Sequence, residues 1–418
     1  MRVVGRYIWF PIALGLLGCA EKFQDDSGPG SSSLGMSTSS SNPSEGTSAG
    51  DGCGDGIPTP GTFCFKNLDF LTLTSPLSAV GGALHGEVQA SFVVVTLLTD
   101  EVTTIEHDGG KLLQGAPVKL VHNSERQLRL ANFGGSAFPE VVVTSVMGLS
   151  GVLENNDGVL GPYEDLVLQD SNGIGRLFPI DIDGDGLSEV IKGVDDLARL
   201  WIKTGDQWMP QGPSFAVDGC KVLWDAAVGD FNNDGLDDIA FIGSPSSWDP
   251  GTECDPIPAM KIRVLLATGK PDLLKESTSI PTGQASEQIV TGDLDGDKLL
   301  DLAVASGVDE GVIAFRGLGD GQFAQPASVV PDGKRVLVGD FDGDGVHELA
   351  TNRYTPDALV AQVWIVDSVL DSASLHQILE LNATLLASAD INGDGIDDMA
   401  MKSIGPSGSH LAVLLSDL

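Results

Sequence analysis

Five nine-residue segments of this 418-residue chain carry oxygen-bearing side chains at positions 1, 3, 5 and 9. They are Asp181, Asp183, Asp185 and Glu189; Asp230, Asn232, Asp234 and Asp238; Asp293, Asp295, Asp297 and Asp301; Asp340, Asp342, Asp344 and Glu348; and Asp390, Asn392, Asp394 and Asp398. Carboxylates at alternate residues of a short turn can all point inward. A set of hard oxygens suits a hard cation, and calcium takes about six to eight of them at roughly 2.3 to 2.6 Å. The backbone carbonyl at position 7, from Leu187, Leu236, Leu299, Val346 and Ile396, offers a further ligand. Glycine at position 6 permits the positive φ of a sharp turn. A single such segment could be an acidic Asp/Gly turn, but five in one register read as about five calcium sites.

These loops are not EF-hands, which need Glu at position 12; that position holds Lys192, Phe241, Val304, Thr351 and Met401. Nor are they flanked by helical sequence. Apolar runs such as VLVG before a loop and DIAFIG or DLAVAS after it read as buried strands, so each loop should join two strands. Catalytic signatures are lacking. The histidines at 85, 107, 122, 347, 376 and 410 form no metalloprotease pair, and there is no G-x-S-x-G elbow or phosphate loop. Gly317, Gly319 and Gly321 read as turn glycines, and adjacent Asp195 and Asp196 as solvated turn acids rather than a glycosidase pair.

The elements that hold the loops repeat. First positions at 181, 230, 293, 340 and 390 are spaced by 49, 63, 47 and 50 residues. Stepping 49 residues upstream reaches Asn132, where Glu140 keeps position 9 but Gly134 and Ser136 replace the acids. A second step reaches Ala83, whose segment keeps Leu84 and the apolar run that follows but almost no ligands. Seven repeats of about 50 residues, each with several short strands, indicate a closed β-propeller. After the last loop only two strands fit, Asp398 to Lys402 and Leu411 to Leu415, whereas an unassigned strand from Phe65 to Thr74 precedes the first repeat. That strand would complete the last blade and remove the open edge.

The N-terminus reads as a targeting segment, with Arg2 and Arg6 before an apolar run from Tyr7 to Leu17 that is short for a membrane span. Leu16, Leu17, Gly18 and Cys19 resemble a bacterial lipobox, which implies cleavage before Cys19 and lipid on its thiol. Asp25 to Gly56 is nearly all Ser, Gly, Asp, Pro, Thr and Glu and behaves as a disordered tether. The expected domains are thus a signal peptide at 1–18, a tether at 19–57 and the propeller at 58–418. In an exported chain, Cys53 and Cys64 should pair locally, and Cys220 and Cys254 are left for each other; sequence does not fix the pairing.

The repeats over roughly residues 60 to 418 resemble the FG-GAP or VCBS repeats of bacterial surface proteins and the propeller of integrin α subunits. The resemblance implies an all-β, seven-bladed propeller with four-stranded blades and calcium loops between the first and second strands on one face. Lys298 departs from it, replacing glycine at position 6 of the third loop. A left-handed non-glycine residue costs roughly 1 to 2 kcal/mol, so that site should be the weakest.

The expected function is a lipid-anchored module, exported to the bacterial outer membrane or cell surface, that binds an extracellular protein or polysaccharide. The competing class is a polysaccharide lyase or hydrolase using acids in the channel, but no separate catalytic domain fits and we read the chain as a non-enzyme. The formal net charge is −36, and five calcium ions would leave about −26, which disfavours nucleic acid and anionic membrane as partners. Loops opposite the calcium face, holding Trp248, Arg353 and Tyr354, are the expected ligand face.

Overall fold

Strand character follows from where each run is buried. The second strand of a blade is packed between neighbouring blades and is rich in apolar residues: Ser91–Thr96 (SFVVVT) and Glu140–Ser145 (EVVVTS) are buried at every residue. Ala383–Ala389, the first strand of blade 7, alternates buried with half-buried residues. Fourth strands such as Lys111–Gln114 and Gln207–Ala216 lie at the rim and are mostly exposed.

The computed structural model describes residues 63–416 apart from 66–68, 87–88, 122–125, 146–148, 172–174, 218–220, 246–259, 271–273, 284–285, 307–310, 355–360, 368–369, 371–373, 380–381 and 406–407. It contains seven antiparallel sheets whose strands pair in chain order, as blades 1 to 7. First strands begin at Pro76, Arg126, Leu177, Lys221, Ser286, Gly333 and Ala383. First strands of successive blades pack against one another around the axis. Blade 1 gains a short extra strand, Val118–Lys119, on its third strand.

The ring closes as expected. Asp69–Thr74 pairs antiparallel with the third strand of blade 7, Gly408–Leu414, in a register that matches Asp69 to Val413 and Leu71 to Leu411. An isolated bridge from Phe65 to Ser416 extends the contact, while the named strand starts only at Asp69. The core is not one mass but seven clusters, one at each blade interface. The cluster between blades 7 and 1 joins Phe92, Val94 and Ile105 to Ile391, Leu411 and Val413, with Leu71 and Leu73 packed on it.

Cys64 is disulfide-bonded. Cys19, Cys53, Cys220, Cys254 and Trp248 lie outside the described residues. Lys221 pairs with Pro245, so the strand start that follows Cys220 in sequence lies beside the strand end that precedes residues 246–259.

Candidate metal centre

All five acidic segments, and the two reduced ones, join the first strand of a blade to its second. Position 2 anchors each loop: Ile182, Phe231, Leu294, Phe341 and Ile391 are buried in the interblade cores. The position-1 carboxylate then folds the backbone round itself. Asp181 Oδ1 accepts Gly184 N–H at 2.8 Å and Oδ2 accepts Gly186 N–H at 2.9 Å. The same pair of bonds recurs at Asp293, Asp340 and Asp390. Positions 3 and 5 hold the N–H two residues on, as Asp342 does for Asp344 and Asp344 for Val346.

Two backbone sites per loop have positive φ. Position 6 was legible in the sequence; position 4, held by Gly184, Asn233, Gly296, Gly343 and Gly393, was missed. At Gly184 and Gly296 glycine also gives space, because the position-7 side chain of the next blade rests on it, whereas Asn233 takes position 4 in the second loop. A Cβ at Gly184 would lie 3.1 Å from Leu236, and one at Gly296 would lie 3.0 Å from Val346.

This geometry gathers oxygen. Carboxylate oxygens of Asp340, Asp342, Asp344 and Glu348 lie within 4.8 Å of one another, as do those of Asp181, Asp183 and Glu189, and of Asp293, Asp295 and Asp297. Among the described residues, no three carboxylates converge so closely in the loops with Asn at position 3. There Asn232 and Asn392 donate to Asp234 and Asp394 at 3.1 and 2.9 Å.

Position 9 sits deepest. Burial lifts Glu189, Asp238, Asp301 and Asp398 to about 7. Burial, followed by the nearby Asp342 charge, lifts Glu348 to about 9. Each of these carboxylates accepts the position-2 N–H, as Glu348 does from Phe341 at 2.8 Å. The three aspartates also hold the backbone just beyond the third strand or at its last residue, at Ala267, Gly317 and Ser416. Converging, partly desolvated carboxylates with no cation among them repel one another. A bound divalent ion would supply the missing positive charge, and the oxygen-only donor set fits a hard metal.

Neighbouring loops are tied together at position 8, which the sequence did not reveal. The position-8 N–H donates to the position-1 carbonyl of the preceding blade: Ser188 to Asn132, Asp237 to Asp181, His347 to Asp293, Asp397 to Asp340, and Ala90 to Asp390 across the ring closure. Four of these side chains add a second link by accepting the position-1 N–H, through Ser188 Oγ, Asp237 Oδ2, His347 Nδ1 and Asp397 Oδ2. These links join the loops of blades 2, 3 and 4, and those of blades 5, 6, 7 and 1, on one face.

Residues 230–304 and 293–351, which run from the loop of blade 4 to the second strand of blade 6, match the family model described as an FG-GAP-like repeat. The fold is a seven-bladed β-propeller, and residues 230–351 of it carry FG-GAP-like repeats. Among solved structures, BBS1N in complex with ARL6DN, soaked with mercury, superposes with a TM-score of 0.56 at 12% identity over 85% of this chain and 96% of that one. The lead-soaked form gives 0.54 at 14% identity over 84% and 97%. A structure of an Agrocybe aegerita lectin, described as the basis of its recognition of non-reducing terminal N-acetylglucosamine, gives 0.47 at 16% identity over 84% and 86%. These likenesses concern the fold alone. No curated protein sequence matches the chain.

Within the FG-GAP set, the third loop stands apart. Lys298 takes the glycine conformation, with φ of 69°, and closes the turn normally, its N–H reaching Asp293 Oδ2 at 2.9 Å. Arg316 Nε lies 2.7 Å from Asp295 Oδ2, so a cation already engages one ligand oxygen. If the loop takes calcium, Lys298→Gly should therefore tighten it there by about tenfold through relief of roughly 1 to 2 kcal/mol, read as a shift of the last phase in calorimetric titration. An unchanged titration would show that the lysine costs nothing.

The reduced loop of blade 2 fills its own turn. Glu140 reaches back with both oxygens, accepting Phe133 N–H and Gly135 N–H at 2.9 Å each. It thus holds at position 4 the N–H that a position-1 aspartate holds elsewhere. Asp195 and Asp196 lie exposed in a hairpin turn. Arg353 and Tyr354 end the second strand of blade 6, away from the metal loop; Arg353 Nη2 lies 3.5 Å from Asp332 Oδ2.

Proposed function

We propose that this FG-GAP propeller is a calcium-stabilised, lipid-anchored binding module that takes an extracellular protein or polysaccharide at the cell surface. The observation that carries the reading is the set of oxygen clusters confined to one face. Five calcium ions there, with position-7 carbonyls completing the donor set, would brace the ring by one rim. The opposite rim, where Pro245 and Met260 begin and end the stretch expected to hold Trp248, is then left for a ligand. Proteins that carry binding on loops over a rigid scaffold follow the same division of labour.

A polysaccharide-active enzyme is the competing reading. Of the two acids on the axis Glu287 is exposed, and the buried one, Asp225, accepts hydrogen bonds from Arg129 Nη2 at 2.8 Å and Ile289 N–H at 3.1 Å. Both engagements oppose a role in proton transfer.

A glycan and surface-protein array probed with and without calcium tests the binding role. Retention of defined ligands that is lost on calcium removal is expected; turnover of an acidic polysaccharide with no stable retention would favour the enzyme. Anchoring is tested separately. Cys19→Ser should move the protein out of the membrane fraction or block its processing, and a variant that fractionates and migrates like the parent would remove the lipid from the account.

A further inference from the structure

On the axis, away from the metal loops, lies a cavity of about 170 Å³ to which all seven blades contribute. Its lining comes from the first halves of the first strands or from the residue just before, whereas the metal loops leave from the far ends of those strands. The channel mouth is therefore at the rim opposite the metal.

Its charge is unlike that of the rest of the molecule. The chain has 23 Lys and Arg against 59 Asp and Glu, yet the lining holds the four cations Arg129, Arg176, Lys334 and Arg335 and only two acids, Asp225 and Glu287. The cavity wall is thus net positive in a strongly negative protein. Two of these cations are held in place by the fold. Arg176, 7% exposed, lies 4.1 Å over the Trp224 ring and donates to the Trp224 carbonyl at 2.7 Å. Arg129 is fixed by the buried Asp225 and by Gln127 Oε1 at 3.1 Å.

These four cations, drawn from three blades, repel one another; Arg129 and Arg176 also tie blades 2 and 3 to Asp225 and Trp224 of blade 4, and the wall still holds more cations than acids. An anion entering the mouth relieves that repulsion in a polar, partly desolvated setting where charge-assisted hydrogen bonds are strong. Gln127, Gln288 and Ser78 add donors and acceptors suited to hydroxyl groups, with Ala79 and Leu386 the aliphatic members of the wall. We infer that the channel mouth is a subsite for an acidic saccharide residue bearing a carboxylate or a sulfate. This rests on the proposed binding role and names the ligand class.

The test is calorimetric titration of the full chain in calcium with oligogalacturonate, a sulfated galactose oligomer, the matching neutral oligomer, inorganic sulfate and a poly-glutamate peptide. Binding of an acidic oligomer that weakens with added salt is expected. Arg335→Gln combined with Lys334→Gln, both at surface-accessible positions, should weaken it about tenfold or more; Lys275→Gln, on the outer strand of blade 4, should not. Binding of sulfate alone would reduce the site to a small-anion site and overturn the saccharide assignment, as would tighter binding of poly-glutamate. If no acidic probe binds, or the double variant binds unchanged, the channel assignment falls. Array ligands that still bind the double variant in calcium would leave the binding role standing without it. An unchanged melting temperature in calcium confirms that the variants fold.

Discussion

Stripping calcium from the protein should lower its melting temperature on the order of 10 °C or more. With a dissociation constant near 10⁻⁴ M and calcium near 1 mM, each site contributes about 1.4 kcal/mol, so five contribute about 7 kcal/mol. That rivals the whole stability of an ordinary domain, about 5 to 15 kcal/mol. The pH response of the stripped protein provides a second signature. Its position-9 carboxylates are raised when folded, Glu189, Asp238, Asp301 and Asp398 to about 7 and Glu348 to about 9. The folded state therefore holds protons that the unfolded state has released. This stabilisation is complete below about pH 4, the ordinary carboxylate range, and is lost as pH rises through 7 and then 9. Metal-free protein should melt lower at pH 8 than at pH 6. Calcium should reverse that order, because it binds the ionised loops and competes with protons. Equal melting curves with and without calcium at both pH values would contradict the bracing role.

Removing the closing strand should do comparable damage by a different route. A chain beginning at Asp51 keeps the pairing of Asp69–Thr74 with blade 7, and it should melt as the whole chain does. A chain beginning at Ser75 loses Leu71 and Leu73 from the cluster between blades 7 and 1 and uncovers Leu411, Val413 and Leu415. Each fully buried aliphatic side chain is worth about 1.5 to 3 kcal/mol, so the loss is several times that. It also leaves Gly408–Leu414 as a naked edge, a template for aggregation. The shorter chain should be recovered as aggregate, or melt far below the longer one even in calcium. If it is monomeric and equally stable, the ring does not depend on this closure.

Much of this architecture was legible because the signals are local. Acids at positions 1, 3, 5 and 9, an apolar residue at position 2 and a period near 50 residues define loop, anchor and blade within short windows. The strand left over at the start predicted closure by simple counting. What escaped depends on contacts between blades. The position-8 clamp works mainly through a backbone N–H, so Ser188, Asp237, His347, Asp397 and Ala90 can all serve and leave no residue pattern. The engagement of Asp295 by Arg316 joins a loop to the end of the third strand, which no spacing rule connects. Arg129, Arg176, Lys334 and Arg335 look like scattered surface cations until the ring brings them to one axis. Trp248 and four of the five cysteines fall outside the described residues, and their assignment still rests on the sequence.

Counting bound ions decides whether the acidic loops are calcium sites. Native mass spectrometry of the protein purified in calcium should show about five bound ions, with the ion at the third loop the first to be lost on dilution. Asp340→Asn combined with Asp342→Asn should reduce the count by one. A protein that carries no calcium, or one whose count is unchanged in that variant, would contradict the account.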